Sequence, residues 1–296
     1  MQLDHLTTFQ KRSLSSALMI FFVAALFLMG TSALQICLFV LAGTMSFEWT
    51  KICKLPVKQT ALAMLSIIYG AMYAVVSGRA MLGFGVLFFG MSLSIFLSWF
   101  SWHSLFLWGA AGLLYIGLPC FSGLWLLTSV ESGLWILLWI IVVVSVNDMA
   151  AYVVGSWLKG PKLIERISPG KTWTGLVGGL AAATLAGGLF YFLVQSNLTV
   201  QSFMKFSCVL ALWASIGDLF ESKIKRIHEV KDSGQLIPGH GGIFDRLDGI
   251  LFALPLVALL IALWPETFSF RTEMKKSTSE VILDTIPSDS QKEETK

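Results

Sequence analysis

The chain has 296 residues, of which 55% are hydrophobic and only 13% are charged, and its formal net charge is +3 at pH 7. Soluble globular proteins usually contain about 25% charged residues, so the composition excludes an ordinary soluble domain. One helical membrane span needs about 20 apolar residues, and the chain provides about nine such segments. We therefore expect an all-α, polytopic integral membrane protein.

The predicted spans follow one another along most of the chain. They lie at about 14–30, 33–48, 59–76, 80–98, 104–122, 133–150, 174–194, 203–220 and 249–265. The first follows Lys11-Arg12 without a convincing small-residue cleavage site, which predicts a retained helix and not a removed signal peptide. After Trp264-Pro265 the chain is polar, which predicts a disordered tail. We divide the chain into N-terminal transmembrane helices (1–130), a C-terminal transmembrane region with the candidate catalytic residues (131–265) and the polar tail (266–296).

The distribution of basic residues predicts the orientation, because such residues favour the cytoplasmic ends of spans. If the helices alternate in direction, the most basic stretches fall on one side: Lys11-Arg12 and the loops at 51–58, 159–171 and 221–246. The opposite connections, at about 30–32, 77–79, 123–132 and 195–202, carry only Arg79 and Glu131. We therefore expect a cytoplasmic N-terminus, two large cytoplasmic loops and a tail on the other side.

The cysteines Cys37, Cys53, Cys120 and Cys208 are scattered and show no paired spacing. This pattern indicates small buried hydrophobic residues and suggests neither a disulfide framework nor a zinc site.

Residues 218–248 concentrate charge between two apolar stretches, at about 203–217 and 249–264. Charge placed against hydrocarbon usually marks a functional site. If the helix from 203 continues to about 228, Asp218, Ser222, Lys225 and Arg226 share one face. That face would offer a metal ligand, a hydroxyl and two phosphate-binding cations. The alternative is an interfacial helix end whose charges lie in water.

A glycine-rich turn, Pro238-Gly239-His240-Gly241-Gly242, leads into the next span. Glycines allow close backbone approach to a ligand, and successive N–H groups can bind an anion. Asp245 and Asp248 follow at i, i+3; with Asp218 across the bundle, they suit a hard cation such as Mg²⁺. The alternative for the pair is helix capping and dipole compensation. His240 alone is explained as well by the shape of the turn.

A second polar segment begins at Asp148, with Tyr152 and Gly155 on the same helical face at i+4 and i+7. Further on, Ser168-Pro169 predicts a helix start. Lys171 would then lie near a helix N-terminus, where the dipole also favours an anion. The glycines that follow, Gly175, Gly178 and Gly179, favour close helix packing over ligand contact.

Together these motifs resemble phosphatidate cytidylyltransferases (CDP-diacylglycerol synthases). The C-terminal signature comprises Asp218-x3-Ser222-x2-Lys225-Arg226, Lys231-Asp232-x-Gly234, Pro238-Gly-His240-Gly-Gly242 and Asp245-Arg246-x-Asp248. The upstream match comprises Asp148-x3-Tyr152-x2-Gly155 and Ser168-Pro169-x-Lys171-Thr172. The resemblance covers about 148–249, and the earlier helices fit only in hydropathy. The chain departs from the family at Thr174, where Glu is common, and at Gly249, where Ser is common.

The resemblance implies that phosphatidate and CTP give CDP-diacylglycerol and pyrophosphate at the cytoplasmic face of a bacterial inner membrane. The implied catalytic residues are Asp218, Lys225, Arg226, Asp245 and Arg246. The implied substrate-binding residues are Ser222, Lys231, Asp232, Gly239, His240, Gly241, Gly242, Lys171, Ser168, Asp148 and Tyr152. Asp218, Asp245 and Asp248 would hold Mg²⁺, and a second cation is compatible with the site. The expected partners are CTP, phosphatidate and membrane lipid, without nucleic acid, and a homodimer is the assembly considered. The attacking phosphate is already ionised, so no side chain need act as a strong base.

Two other functions use related chemistry. A CDP-alcohol phosphotransferase also gathers aspartates and Mg²⁺ at a membrane face, but it requires an Asp-Gly-x2-Ala-Arg pattern that this sequence lacks. An ion-coupled transporter would use Asp148 and Asp218 as intramembrane relay groups. Transporters generally have inverted repeats with interrupted helices in both halves, whereas this chain concentrates its polar residues in the second half.

Overall fold

The computed structural model describes residues 8–101, 104–194, 198–234 and 241–265. The helices are α1 (Thr8–Met29), α2 (Thr31–Ile52), α3 (Val57–Val76), α4 (Ala80–Ser101), α5 (Ser104–Gly112), α6 (Leu118–Ser129), α7 (Gly133–Leu158), α8 (Trp173–Val194), α9 (Val200–Ile227) and α10 (Phe244–Leu263). A π-helical turn, Leu113–Gly117, joins α5 to α6. The all-α prediction is confirmed, and the predicted polar tail lies outside the described residues.

Among the described residues, eight helical segments are long and apolar enough to cross a membrane. They are α2, α3, α4 up to Trp99, the continuous segment Phe106–Ser129, α7, α8, α9 and α10. Helix α1 adds a shorter apolar stretch, Ala17–Met29. Large apolar side chains such as Phe89, Leu189 and Phe192 are exposed on the outer faces of these helices, as expected where a helix meets lipid. The chain is therefore an integral membrane protein.

The predicted helix start at Ser168-Pro169 is wrong. Residues Ser168–Thr172 form strand β2, which pairs antiparallel with strand β1 (Lys162–Ile164), and α8 begins only at Trp173. The capping oxygen comes from Thr172, whose Oγ1 accepts a hydrogen bond from Gly175 N at 3.1 Å. Ser168 lies instead opposite Ile164 in the hairpin. Lys171 is thus a strand residue that lies just before the first residue of α8.

Two clusters of buried apolar residues form the interior. One is built mainly on α7, α8 and α9 around Trp139 and Ile140, and the other mainly on α2 and α3 around Ile68 and Met72. Helices α2, α6, α9 and α10 supply residues to both clusters. The division of the chain at residue 130 stays a prediction, because the packing runs across it.

Helices α7 and α8 pack closely through small residues. A Cβ added at Gly175 would lie 2.6 Å from Ala151 O, and one added at Gly179 would lie 2.8 Å from Asn147 O. Only a residue without a side chain fits at such distances. The structure therefore supports the packing interpretation of these glycines, and the contact fixes α7 against the hairpin and α8.

The polar segments of α9, α10 and the hairpin meet at one end of the bundle. Helix α9 has 28 residues and is therefore about 42 Å long at about 1.5 Å per residue, longer than a hydrocarbon core of about 30 Å. Asp218 lies about 27 Å from its first residue, near the far membrane boundary. At that end Arg226 Nε donates a hydrogen bond to Ile167 O at 3.4 Å. The two large basic loops therefore lie on the same side, as predicted.

Candidate functional site

The first feature of the site is an ion pair between the hairpin and α9. Lys171 Nζ donates a hydrogen bond to Asp218 Oδ2 at 2.8 Å, and the two side chains are 30% and 17% exposed. Both residues were predicted to be functional, but their pairing was not. The lysine neutralises one oxygen of a carboxylate that lies near the edge of the hydrocarbon.

Asp245 is the most heavily bonded carboxylate in the site. Its Oδ1 accepts a hydrogen bond from Lys225 Nζ at 2.8 Å. Its Oδ2 accepts from Ser233 N at 3.0 Å, from Ser233 Oγ at 2.8 Å and from Gly242 N at 2.9 Å. Asp245 thus ties the last turns of α9 and the loop before α10 to the start of α10.

Asp248 connects these two groups, because its carboxyl lies within hydrogen-bonding reach of Asp218 and of Glu221. Asp218 Oδ1 is buried and has no hydrogen-bond partner in the part of the chain that the structure describes. Glu221 Oε1 lies 3.2 Å from Lys225 Nζ, close enough for an ion pair but without the alignment of a hydrogen bond. Oxygens from separate helices therefore converge with unused acceptor capacity.

Tyr115, on the π-helical turn, is buried next to the start of α10. Its ring packs against Phe220, Phe244 and Phe252, and its hydroxyl has no hydrogen-bond partner among the described residues. Asp218, Glu221 and Asp248 all act electrostatically on this phenol. π-Helical turns inside α-helices often occur at functional sites, and Tyr115 packs against Phe244, the residue before Asp245.

Glu48 is a site residue that sequence reasoning missed. Its carboxylate is buried at the start of α10, where Oε1 accepts from Ile243 N at 3.0 Å and Oε2 accepts from Phe244 N at 2.9 Å. Glu48 is the single acidic residue of α2, and an acidic residue inside a span is a functional candidate by default. That signal was present in the sequence, as it was for Glu221.

A cavity of about 630 Å³ opens beside Asp218, within the usual range of ligand pockets, roughly 300–1,000 Å³. It is lined by α7, the hairpin, α8 and α9. Four predicted site residues reach it in addition to Asp218, namely Asp148, Tyr152, Ser168 and Lys171. Lys159 and Lys162 add positive charge, and Leu212, Ile216 and Leu219 form an apolar wall. Such a lining suits a ligand with an anionic group and a hydrophobic part.

Asp148 is one of the residues that line this cavity. Asn147 Nδ2 donates to Asp148 Oδ1 at 3.1 Å and to Ser215 Oγ at 3.0 Å. The amide therefore orients the carboxylate and joins α7 to α9. The predicted shared face of Asp148, Tyr152 and Gly155 is confirmed, since all three line the cavity.

The other predicted residues lie around the end of α9 and the start of α10. Arg226, Lys231, Asp232 and Arg246 are exposed, and Ser222 is half-buried. Gly239 and His240 lie outside the described residues. The predicted roles of all seven remain predictions.

Gly241 and Gly242 lie close to two carboxylates of the protein itself, those of Asp245 and Glu48. Gly241 has a φ of +84°, and a Cβ added there would lie 2.6 Å from Asp245 Oδ2. A Cβ on Gly242 would collide with Ser233 Oγ and lie 2.7 Å from Glu48 Oε1. The glycines therefore let the loop backbone close around Asp245 and Glu48. Substrate binding by the same turn stays a prediction.

Gly249, one of the two positions at which the sequence departs from the family, lies beside Asp218 Oδ1. A Cβ at Gly249 would lie 3.4 Å from Asp218 Oδ1 and 3.0 Å from Val144 Cγ1. The serine common in the family would bring a hydroxyl to Asp218. At the other departure, Thr174 Oγ1 lies 3.2 Å from Thr172 Oγ1.

Two titratable groups outside the spans are shifted by their surroundings. Burial, and to a smaller extent the charge of Lys54, lower the pKa of His228. The centroid of its ring lies 4.4 Å from that of Trp108, and the two rings pack edge to face. Burial raises the pKa of the Cys53 thiol to about 12. Cys53 is therefore protonated at neutral pH and lacks the thiolate required of a nucleophile.

Fold and site together define a polytopic membrane protein whose carboxylates and cations converge at one membrane boundary beside an amphipathic cavity. The family model described as "Cytidylyltransferase family" matches residues 10–264. The chain belongs to this family.

Relatives of known name agree with this assignment. The chain is 37% identical over 229 residues to the phosphatidate cytidylyltransferase of Brucella suis biovar 1 (strain 1330), covering 75% of this chain and 82% of that protein. It is 35% identical over 188 residues to the enzyme of the same name from Rickettsia bellii (strain RML369-C), covering 61% and 81%. The match to the Staphylococcus haemolyticus (strain JCSC1435) enzyme is 39% over 131 residues, covering 44% and 50%.

Proposed function

We propose that this chain is a phosphatidate cytidylyltransferase that converts CTP and phosphatidate into CDP-diacylglycerol and pyrophosphate. Its family and the names of its relatives support an enzyme of the nucleotidyltransferase class. The structural observation that carries the proposal is the convergence of Lys171, Asp218 and the α10 aspartates beside the amphipathic cavity. Neither a transporter nor a CDP-alcohol phosphotransferase gains support from these findings.

The donor set fits a hard divalent cation. Asp218, Glu221, Asp245 and Asp248 meet in the site, and the lysines paired with them are Lys171 and Lys225. When all four carboxylates are ionised, two negative charges are left without a paired lysine, and Mg²⁺ prefers oxygen ligands of this kind. Among the described residues, no three His, Cys, Asp or Glu side chains already form a metal-binding arrangement.

Asp218 and Asp248 are the proposed principal ligands, because Asp218 Oδ1 accepts no hydrogen bond from any described residue and Asp248 lies beside it. Asp245 is the proposed third ligand through Oδ1, which has a single protein donor and therefore a lone pair to spare. Bound Mg²⁺ would lower the repulsion between two polyanionic substrates and neutralise charge on the transferred phosphorus group. A second cation at the same carboxylates remains part of the proposal.

The protein's own groups position the substrates and balance their charge. Lys171, Lys159 and Lys162 would bind substrate phosphate in the cavity as point charges, while Leu212 and Ile216 would contact the apolar part of the lipid. The attacking phosphate oxygen of phosphatidate is already ionised, so the chain need not remove a proton. Its contribution is alignment of that oxygen with the α-phosphorus of CTP and stabilisation of negative charge as pyrophosphate leaves.

The site is proposed to face the cytoplasm of a bacterial inner membrane. The basic loops lie at the same end of the bundle as the site, and basic loops favour the cytoplasmic side. CTP would then reach the site from water and phosphatidate from the bilayer. No role for nucleic acid is proposed, and a homodimer remains the proposed assembly.

The test is a stoichiometric assay with purified protein in liposomes that contain phosphatidate. Added CTP should yield cytidine-linked lipid and pyrophosphate in equal amounts, and omission of either substrate should abolish both products. Pyrophosphate release without phosphatidate, or no cytidine in the lipid fraction, would refute the proposal. Solute uptake that does not depend on CTP would favour a transporter instead.

A further inference from the structure

Glu48, on α2, is bonded to the segment that carries Asp245, although 197 positions of sequence separate the two residues. We propose that Glu48 is a positioning residue for the reaction, which holds Asp245 and Asp248 in place through the backbone at the start of α10. This inference rests on the proposed function. It gives the N-terminal helices, which contribute none of the catalytic residues predicted from sequence, a defined part in the site.

The first step is the capping of α10. Glu48 is 7% exposed, and its oxygens accept from Ile243 N at 3.0 Å and from Phe244 N at 2.9 Å. The first N–H groups of a helix have no partner within the helix, and the positive end of the helix dipole favours a carboxylate. Here a residue from a distant helix supplies this cap, so α2 fixes where α10 begins.

The second step links the cap to the aspartates. Phe244, held by Glu48, directly precedes Asp245, and Asp248 follows one turn later. Ser233 Oγ donates to Asp245 Oδ2 at 2.8 Å and lies 3.4 Å from Glu48 Oε2. Since a hydroxyl has one proton, the shorter bond to Asp245 takes it. Displacement of Glu48 would therefore move the backbone that directly precedes Asp245.

The third step is the close approach of the loop to Glu48. A Cβ at Gly234 would lie 2.8 Å from Glu48 Oε1, and one at Gly242 would lie 2.7 Å from the same oxygen. The loop backbone thus packs directly on the carboxylate at two points. We therefore expect a change in the charge or length of this side chain to alter the backbone at the start of α10.

Glu48→Gln tests the proposal with an isosteric change. Its amide can keep one acceptor oxygen, but its NH₂ group would face a backbone N–H. Partners that orient metal ligands typically contribute about 10- to 100-fold in metal affinity or activity, so the half-saturating Mg²⁺ concentration for turnover should rise by about that factor. Glu48→Asp, which keeps the charge, should recover part of the loss.

Ser46→Ala is the matched control. Ser46 is fully buried on the same helix, and among the described residues its hydroxyl bonds within α2, to Ala42 O at 2.7 Å. This variant should keep the wild-type Mg²⁺ dependence. A second readout is independent of activity: hydrogen exchange at the Ile243 and Phe244 amides should be faster in Glu48→Gln than in wild type.

The outcomes separate the two proposals. If Glu48→Gln lowers only the amount of folded enzyme, leaving both the half-saturating Mg²⁺ concentration and amide exchange unchanged, the positioning role is overturned. If wild-type protein shows no CTP-dependent synthesis, the proposed function fails, and the role of Glu48 in that reaction fails with it.

Discussion

Replacement of Lys225 by Met should strongly destabilise the protein. The ammonium group lies 2.8 Å from Asp245 Oδ1 and 3.2 Å from Glu221 Oε1, and the lysine, aspartate and glutamate side chains are only 15%, 11% and 3% exposed. Met has nearly the same length but no charge, so the change leaves two nearly buried carboxylates without their cation. Loss of one partner from a buried ion pair costs about 3–5 kcal/mol.

The free energy of unfolding, measured by SDS titration in mixed micelles, should fall by that amount. Lys171→Met is the comparison, because its ion pair has one carboxylate and the lysine is 30% exposed, so its cost should be about 1 kcal/mol or less. In Lys225→Met/Asp245→Asn, removal of the uncompensated charge should recover part of the loss. A Lys225→Met protein within about 0.5 kcal/mol of wild type would refute the structural role and favour a lysine that mainly binds substrate phosphate.

Further predictions concern the cavity, the glycine turn and a titratable loop residue. Lys171→Met should lower turnover by about 10- to 100-fold through loss of the cation that orients Asp218, whereas Lys171→Arg should retain part of it, as steady-state kinetics would show. Gly242→Ala should destabilise the protein by about 1–3 kcal/mol because its Cβ overpacks the loop; Gly85→Ala, where a Cβ meets nothing within 4 Å, should not. Since the pKa of His228 is lowered in the folded protein, the unfolded state binds the proton first, and stability should fall as pH drops below about 6.5. His228→Phe should remove that part of the pH dependence of unfolding.

The spans and the polar faces of α7 and α9 could be predicted from sequence, because hydropathy and helical periodicity are local properties. Asp148, Tyr152 and Gly155 share a face simply by their spacing, and all three line the cavity. Asp218 was recognisable because it directly follows an apolar run. The alternation of spans also placed the two basic loops at one end without knowledge of the packing.

The partners of these residues could not be predicted, because periodicity does not say which helices touch. Glu48 bonds to Phe244 across the bundle, and Lys171 reaches Asp218 from a hairpin that the Ser-Pro pattern disguised as a helix start. Pro169 is compatible with either structure. Ser168 pairs with Ile164, and Thr172 caps α8, so residues 168–172 form a strand and the helix begins after them.

The glycine-rich turn is compatible from sequence alone with an anion site or with an ordinary loop. The close neighbours of its glycines, Glu48 and Asp245, become visible only once α2 and α10 are packed together. A glycine signature therefore reports that backbone approaches something closely, and the fold determines what that is.

The most direct measurement is Mg²⁺-dependent incorporation of cytidine from CTP into lipid by purified wild type, Asp218→Asn and Glu131→Gln. Glu131 is an exposed acid at the opposite end of the bundle, so its variant controls for the loss of one negative charge. Wild type and Glu131→Gln should be active only with Mg²⁺, and Asp218→Asn should be inactive at every Mg²⁺ concentration while remaining folded in detergent. Turnover by Asp218→Asn close to that of wild type would contradict the assignment of the metal and the reaction to these carboxylates.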